Sequence, residues 1–331
     1  MAPVLGQNTK ASELVPYYAS QIRGKVILVT GVSPGGLGEN FVKQVAVSKP
    51  ATFVLAGRNP SKFQGLIDEL HVNHSDVKVK PLSLDLSSLA NVREAAETVL
   101  SWTDDEVSHI DVLVNNAAIM ATPYKLTEDG FESQFQTNHL GHFLFANLIM
   151  SKLLRADAPR IINISSSGHR FHNIRWTDYN FNGGKTYEKW AAYGQSKTAN
   201  CLMALSLARR LGFKGLTAFS VHPGGIMTNL AAHADDFTAF VTSMQDVDAV
   251  LGTKYMEGFD NVKLKDLDEG VATHVFAAFD PTIAEKNGAY LNDCRVADPH
   301  KEEVYPWATS DASAEMLWKL SEKLVRQEFD Y

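Results

Sequence analysis

Cysteine is nearly absent from this sequence: Cys201 and Cys294 are the only two in 331 residues. Two thiols cannot build a disulfide framework and match no metal-ligand spacing, so a reducing compartment and a fold held by packing are expected. Long apolar runs are missing as well. No stretch approaches the ~20 residues that span a bilayer, and the opening MAPVLGQNTKASELVPYYASQIRGK has no basic start followed by an apolar run. A cytoplasmic protein without a membrane span is the expectation. Basic clusters are also lacking, since the net charge of −7 is spread along the chain. That argues against nucleic acid as a partner and leaves no cationic face for anionic lipid. Neither an internal repeat nor a low-complexity linker interrupts the chain, which predicts one domain over residues 1–331.

What remains is an ordinary globular composition, 45% apolar and 21% charged, arranged as short apolar runs alternating with longer amphipathic ones. KVILVTG, ATFVLAGR, VKVKPLSLDL, IDVLVNNAA, RIINISSS and GLTAFSVHPGG read as strands. Between them lie helical patterns at 36–49, 60–73, 88–102, 131–154 and 187–211. Strand–helix–strand repetition builds crossover units, hence a doubly wound, Rossmann-type α/β fold with a parallel sheet and helices on both faces. Residues 311–327 read as a C-terminal helix docked on the body.

In such folds ligands bind beyond the carboxyl ends of the strands. TGVSPGGLGEN follows the first strand. Gly31 allows a tight turn, Gly35 and Gly36 let backbone approach a phosphate, and Gly38 allows close packing where the helix begins and faces the anion. At the end of the second strand stands Arg58, with no carboxylate until Asp68. A basic residue there suits the 2′-phosphate of NADP, and an acidic one the ribose of NAD, so NADP(H) is expected over NAD. Ser33, Asn59 and Lys62 are placed to assist. Further on, AAYGQSKTAN puts Tyr193 four residues before Lys197 on one helix face. Either the tyrosine packs in the core beside a solvated lysine, or an ammonium near a phenol lowers its pKa and makes it a proton donor.

NNAA, SSS and HPGG fall after the fourth, fifth and sixth strands. With the glycine cluster and YGQSK, in that order, they resemble the short-chain dehydrogenase/reductase family over residues 25–229. NHLGHF, SSSGH and AAYGQSKTANCLMALSLARRL look nearest to its branch of retinol dehydrogenases and the WW-domain oxidoreductase. Two departures stand out: the glycine loop is one residue longer than the family's, and Ala118 replaces the usual glycine of the NNAG motif.

The resemblance implies carbonyl–alcohol interconversion with a nicotinamide cofactor. It makes Tyr193 the general acid/base and Lys197 its electrostatic partner, with Ser166 orienting the substrate oxygen, Ser165 and Ser167 being the register alternatives. Asn138 is the fourth member, holding a water beside Lys197. It also implies cofactor contacts from Leu37, Asp85, Leu86, Asn115, Ala117, Tyr193, Lys197, Pro223 and Thr228, with Asn116 structural; helix caps are the other reading of Asp85 and Thr228. Residues 225–268 form a substrate-covering segment in the family, and the insert with Phe171, Trp176, Tyr179, Phe181 and Tyr187 suggests an aromatic wall. An apolar small-molecule substrate is expected, and a homodimer is compatible. The pairs His71/His74 and His139/His142 have ligand spacing but no supporting carboxylates or thiols, so no metal is expected. A cofactor-binding regulator, or a non-redox catalyst on the same site, is the alternative.

Overall fold

The computed structural model describes residues 3–226, 228, 230, 237–252, 256, 264–301 and 303–331. Six strands follow the sequence pattern: β1 (Val26–Thr30), β2 (Thr52–Gly57), β3 (Lys78–Ser83), β4 (Val112–Asn115), β5 (Arg160–Ile164) and β6 (Thr217–His222). A two-residue strand β7 (Gly225–Ile226) pairs in parallel with β8 (Leu264–Lys265), apart from the main sheet. The main sheet is completed by β9 (Tyr290–Asn292), parallel to β6, and β10 (Arg295–Val296), antiparallel to β9. Its order is β3-β2-β1-β4-β5-β6-β9-β10. The chain therefore winds outward in both directions from β1, as a doubly wound α/β fold does.

Strand alternation distributes the core between two faces. Val26 and Leu28 of β1 and Val54 of β2 join one apolar cluster, whereas Ile27, Val29 and Phe53 join the other. Helices Leu89–Ser101, Gly141–Leu148, Lys189–Leu211 and Asp311–Val325 cover the first face. Helices Ala11–Tyr17, Leu37–Ala46, Gln64–Asn73 and Leu267–Phe279 cover the second. No helix among the described residues is long and apolar enough to cross a membrane.

Several elements differ from the sequence reading. The helix expected over 131–154 is broken into Ser133–Phe135, a π-turn at Gln136–Leu140, Gly141–Leu148 and Met150–Leu153. Close packing accompanies the π-turn: a Cβ on Gly141 would lie 2.6 Å from the Leu86 carbonyl oxygen, and the Asn138 side chain is bonded to the backbone of Ile119. Helix Leu267–Phe279 has no sequence-level periodicity because it is buried nearly all round, and β9 and β10 are too short to show any. The substrate-covering segment at 225–268 lies partly outside the described residues; within it, Phe237–Leu251 is helical.

Candidate active site

Every loop leaving the carboxyl end of β1 to β6 opens onto one cleft of ≈ 1750 Å³. Pockets for a single drug-sized ligand run to roughly 300–1,000 Å³, so this cleft has room for a dinucleotide and a second molecule together. Gly31, directly after β1, has φ +73° and no space for a side chain, since a Cβ there would come 2.6 Å from Ala117 Cα. Gly38 is buried, and a Cβ on it would meet the Gly31 carbonyl oxygen at 2.5 Å. It lies behind the cleft wall and sets the spacing between helix and turn. Gly36, at the N-terminus of helix Leu37–Ala46, leaves the first-turn N–H groups without a side-chain cap, which suits an anion. The Gly35 N–H donates to Glu39 Oε2 at 2.6 Å and so shapes the longer loop. Gly31, Ser33, Gly36 and Leu37 all line the cleft.

Of the asparagine pair at the end of β4, Asn115 departs from the expected cofactor contact and Asn116 takes a structural role. Asn115 is buried, and its Nδ2 donates across to Asn163 Oδ1 on β5 at 2.8 Å. It does not line the cleft, because strand alternation turns it into the sheet. Asn116 lines the cleft and donates from Nδ2 to the carbonyls of Thr30 and Gly31, both at 2.9 Å. That clamps the β1 turn to the β4 turn, beside Ala117. Asp85 and Leu86 border the cleft after β3. Asp85 Oδ1 accepts from the Ser87 N–H and Oγ, at 2.9 and 2.6 Å, while Ser88 is the cap of the following helix. Pro223 and Thr228 line the opposite wall, where the Thr228 hydroxyl accepts from the Leu230 N–H at 3.3 Å.

Arg58 is exposed at the rim and makes no hydrogen bond or ion pair among the described residues. Asn59 Oδ1 caps the following turn by accepting from the Ser61 N–H at 3.1 Å, so its Nδ2 is the atom that could donate to a phosphate. Lys62 is exposed and stands away from the cleft.

Opposite the glycine loop, Ser166, Tyr193 and Lys197 line the cleft together. The serine register follows from the bonds: Ser165 Oγ donates to the Lys197 carbonyl at 2.8 Å, beneath the helix. The Ser167 backbone N–H donates to His222 Nδ1 at 3.2 Å. Ser166 Oγ accepts from the Gly168 N–H at 3.0 Å beside the Tyr193 ring. Lys197 Nζ donates to the Ile164 carbonyl at 3.0 Å and lies 5.5 Å from the centroid of the Tyr193 ring. Burial pushes the lysine pKa down to about 7. Asn138 bridges the wall, with Oδ1 accepting from the Ile119 N–H and Nδ2 donating to Ser196 Oγ, both at 2.9 Å.

Of the aromatic insert only Phe171 reaches the cleft, where it packs with Trp190, Tyr193 and Met244. Trp176 and Tyr179 pack against the main core, and Phe181 and Tyr187 against each other with ring centroids at 5.4 Å. The expected aromatic wall is therefore Phe171 with Trp190, whose indole N–H donates to Ser243 Oγ at 2.9 Å on helix Phe237–Leu251. His139 and His142 are buried and kept neutral by burial, with pKa values near 3 and 4.

Residues 25–238 match the family described as short chain dehydrogenase. The chain belongs to that family. A short-chain dehydrogenase/reductase of Penicillium roqueforti, prx1, is 35% identical over 92% of this chain and 86% of its own. Human retinol dehydrogenase 11 is 33% identical over 91% of this chain and 86% of its own, and the chicken WW domain-containing oxidoreductase 32% over 97% and 72%. Among solved structures, an uncharacterised protein of Mycobacterium paratuberculosis superimposes with a TM-score of 0.67 at 29% identity, covering 95% of this chain and 98% of that one. The fold is shared with NADPH-bound carbonyl reductase from chicken fatty liver, at TM-score 0.58 and 21% identity over 83% of this chain and 99% of that one. The protein is thus an NAD(P)-dependent dehydrogenase or reductase.

One residue of this short-chain dehydrogenase site escaped the sequence reading although SSSGH contains it. A Cβ on Gly168 would lie 2.7 Å from Tyr193 Cε1 and 3.3 Å from Ser166 Oγ. Gly168→Ala is expected to move the tyrosine ring and lower turnover by about tenfold or more while leaving cofactor affinity near the parent value. Parallel rate and fluorescence-binding measurements check this; an undiminished rate would mean that the ring is not held there.

Proposed function

We propose that the protein is an NADP(H)-dependent oxidoreductase that interconverts a carbonyl and an alcohol on an apolar small molecule, with Tyr193 as the general acid/base. The observation that carries this reading is the meeting of Ser166, Tyr193 and Lys197 on one wall of a cleft whose substrate side is Phe171, Trp190 and Met244. The chain fits a dinucleotide: Gly31 has no room for a Cβ, the helix behind Gly36 has no side-chain cap, and Arg58 stands at the rim. Bound there, the nicotinamide supplies or accepts the hydride. Ser166 Oγ holds the substrate oxygen, and the Tyr193 hydroxyl donates its proton to that oxygen in reduction or takes one in oxidation. The free phenol, with a pKa near 10, is a poor base at neutral pH, and the Lys197 ammonium favours its ionised form. Asn138 Nδ2 bonds Ser196 Oγ, on the helix that carries Tyr193 and Lys197. The apolar wall excludes water from the reacting carbon.

Arg58 selects the cofactor. A guanidinium on a phosphate forms charge-assisted bonds worth about 1.5–3 kcal/mol, so NADPH should bind about ten- to a hundredfold tighter than NADH. The test is a panel of aliphatic and aromatic aldehydes and ketones, followed by nicotinamide absorbance with each cofactor in the parent and Arg58→Ala. The variant should weaken NADPH and spare NADH. Equal weakening of both would remove Arg58 from that role, and turnover of no carbonyl or alcohol in the panel would count against the redox reading.

A further inference from the structure

Thr30 closes β1 and borders the cleft. Its hydroxyl has one proton to give and two acceptor sites. The backbone N–H of Ala117 donates to it at 3.0 Å, and that of Asn116 is shared between it and the Val114 carbonyl, at 3.0 Å each, so both acceptor sites are engaged. The proton must then be donated, and His142 Nε2 at 2.9 Å is a closer acceptor than the Val114 carbonyl at 3.5 Å. His142 is therefore the tautomer that carries its proton on Nδ1, and that nitrogen lies 3.1 Å from the Asn138 carbonyl oxygen. The link continues: Asn138 Nδ2 donates to Ser196 Oγ at 2.9 Å, and Ser196 Oγ donates to the Tyr193 carbonyl at 2.8 Å.

We infer that His142 is a positioning residue for the reaction: its Nδ1–H holds Asn138 in place while its Nε2 is fixed by Thr30, so the helix carrying Tyr193 and Lys197 keeps register with the cofactor side of the cleft. The inference rests on the proposed redox function for its consequence but on hydrogen-bond accounting for its geometry. Leu140, Phe143 and Phe145, close to it in sequence, are apolar and buried. A residue that only filled volume there could be apolar, and a buried imidazole without both bonds would be costly. Burial holds the ring neutral, so the link is made of one donor and one acceptor and carries no charge. Thr30 does not depend on it, because its hydroxyl retains the two backbone donors and can turn to Val114. Losing the histidine should thus reach the tyrosine end more than the cofactor end.

Two substitutions separate the parts. His142→Phe keeps ring volume and removes both bonds. His142→Asn removes the bond to Thr30 but keeps a donor for the carbonyl four residues back, as Asn147 on the same helix does when its Nδ2 donates to the Phe143 carbonyl at 2.8 Å. With the carbonyl of the panel that the parent reduces fastest, His142→Phe should lower kcat by about tenfold or more per folded protein, with the NADPH Kd changed less than about threefold. His142→Asn should recover most of that loss. Unchanged kcat in the phenylalanine variant, or an asparagine variant as impaired as it, overturns the inference. An independent arm needs no turnover: nitrogen NMR of isotope-labelled histidine in the NADPH complex, assigned by His142→Asn, should show a protonated Nδ1 and a bare Nε2. The opposite tautomer overturns the inference. Absence of turnover with the expected tautomer would instead count against the redox reading.

Discussion

Replacement of Tyr193 by phenylalanine is expected to lower carbonyl reduction by about 10²–10⁴-fold, the usual contribution of a positioned proton donor. The NADPH affinity should stay within about threefold of the parent, because the exchange deletes one hydroxyl and leaves the ring. Three contacts of that ring do not involve the hydroxyl: Gly168 beneath it, Trp190 edge-on at 6.3 Å and Lys197 Nζ 5.5 Å from its centroid. A phenylalanine can keep all three contacts, including the cation–π approach. Rate and binding are therefore expected to separate. A variant that keeps more than about a tenth of the parent rate shows that the proton comes from elsewhere, and a parallel loss of NADPH binding shows that the tyrosine mainly holds the cofactor. The same measurement decides between the redox enzyme and a cofactor-binding regulator, since a regulator has no rate to lose.

Trp318→Ala is expected to cost about 3–5 kcal/mol of unfolding free energy, the range for emptying a large aromatic site in a core. Trp318 is 1% exposed on helix Asp311–Val325 and meets Phe143 edge-on at 4.9 Å. Its indole N–H donates to Glu322 Oε1 at 2.9 Å, and the Arg210 guanidinium lies over its ring at 4.6 Å. The substitution therefore empties a packed volume and takes a donor from a buried carboxylate. The consequence extends to the site, because this helix packs on Lys189–Leu211, which carries Tyr193 and Lys197, and because Ser321 Oγ lies 2.8 Å from His139 Nε2 beside the π-turn. Met316, 51% exposed on the same helix, is the control: Met316→Ala should change stability by less than about 0.5 kcal/mol. Urea unfolding of both variants tests the docking, and a Trp318→Ala value within about 1 kcal/mol of the parent would show that the C-terminal helix contributes little.

The strands and most helices were legible in the sequence because their signals are local. Val26–Val29 is an unbroken apolar run, Gly31 follows its strand where only a glycine fits, and Tyr193 and Lys197 share a helix face wherever that helix goes. The order of the turn motifs after successive strands also sufficed for the family, since a doubly wound sheet brings all strand ends of one polarity to one edge. Other features depended on partners far along the chain. Asn115 and Asn116 are neighbours, yet one bonds Asn163 inside the sheet and the other clamps Thr30 and Gly31, a choice made by strand register. The three adjacent serines were separated only when Ser165 met the Lys197 carbonyl and Ser166 met Gly168. Phe181 and Tyr187 carry the same aromatic signal as Phe171 but point elsewhere, and Gly168 and His142 show their value only against Tyr193, Thr30 and Asn138. Spacing along a chain determines which residues share a face of one element. Whether that face meets a cleft, a core or another hydrogen-bonding group is decided by packing between elements, and that contact is made by residues distant in sequence.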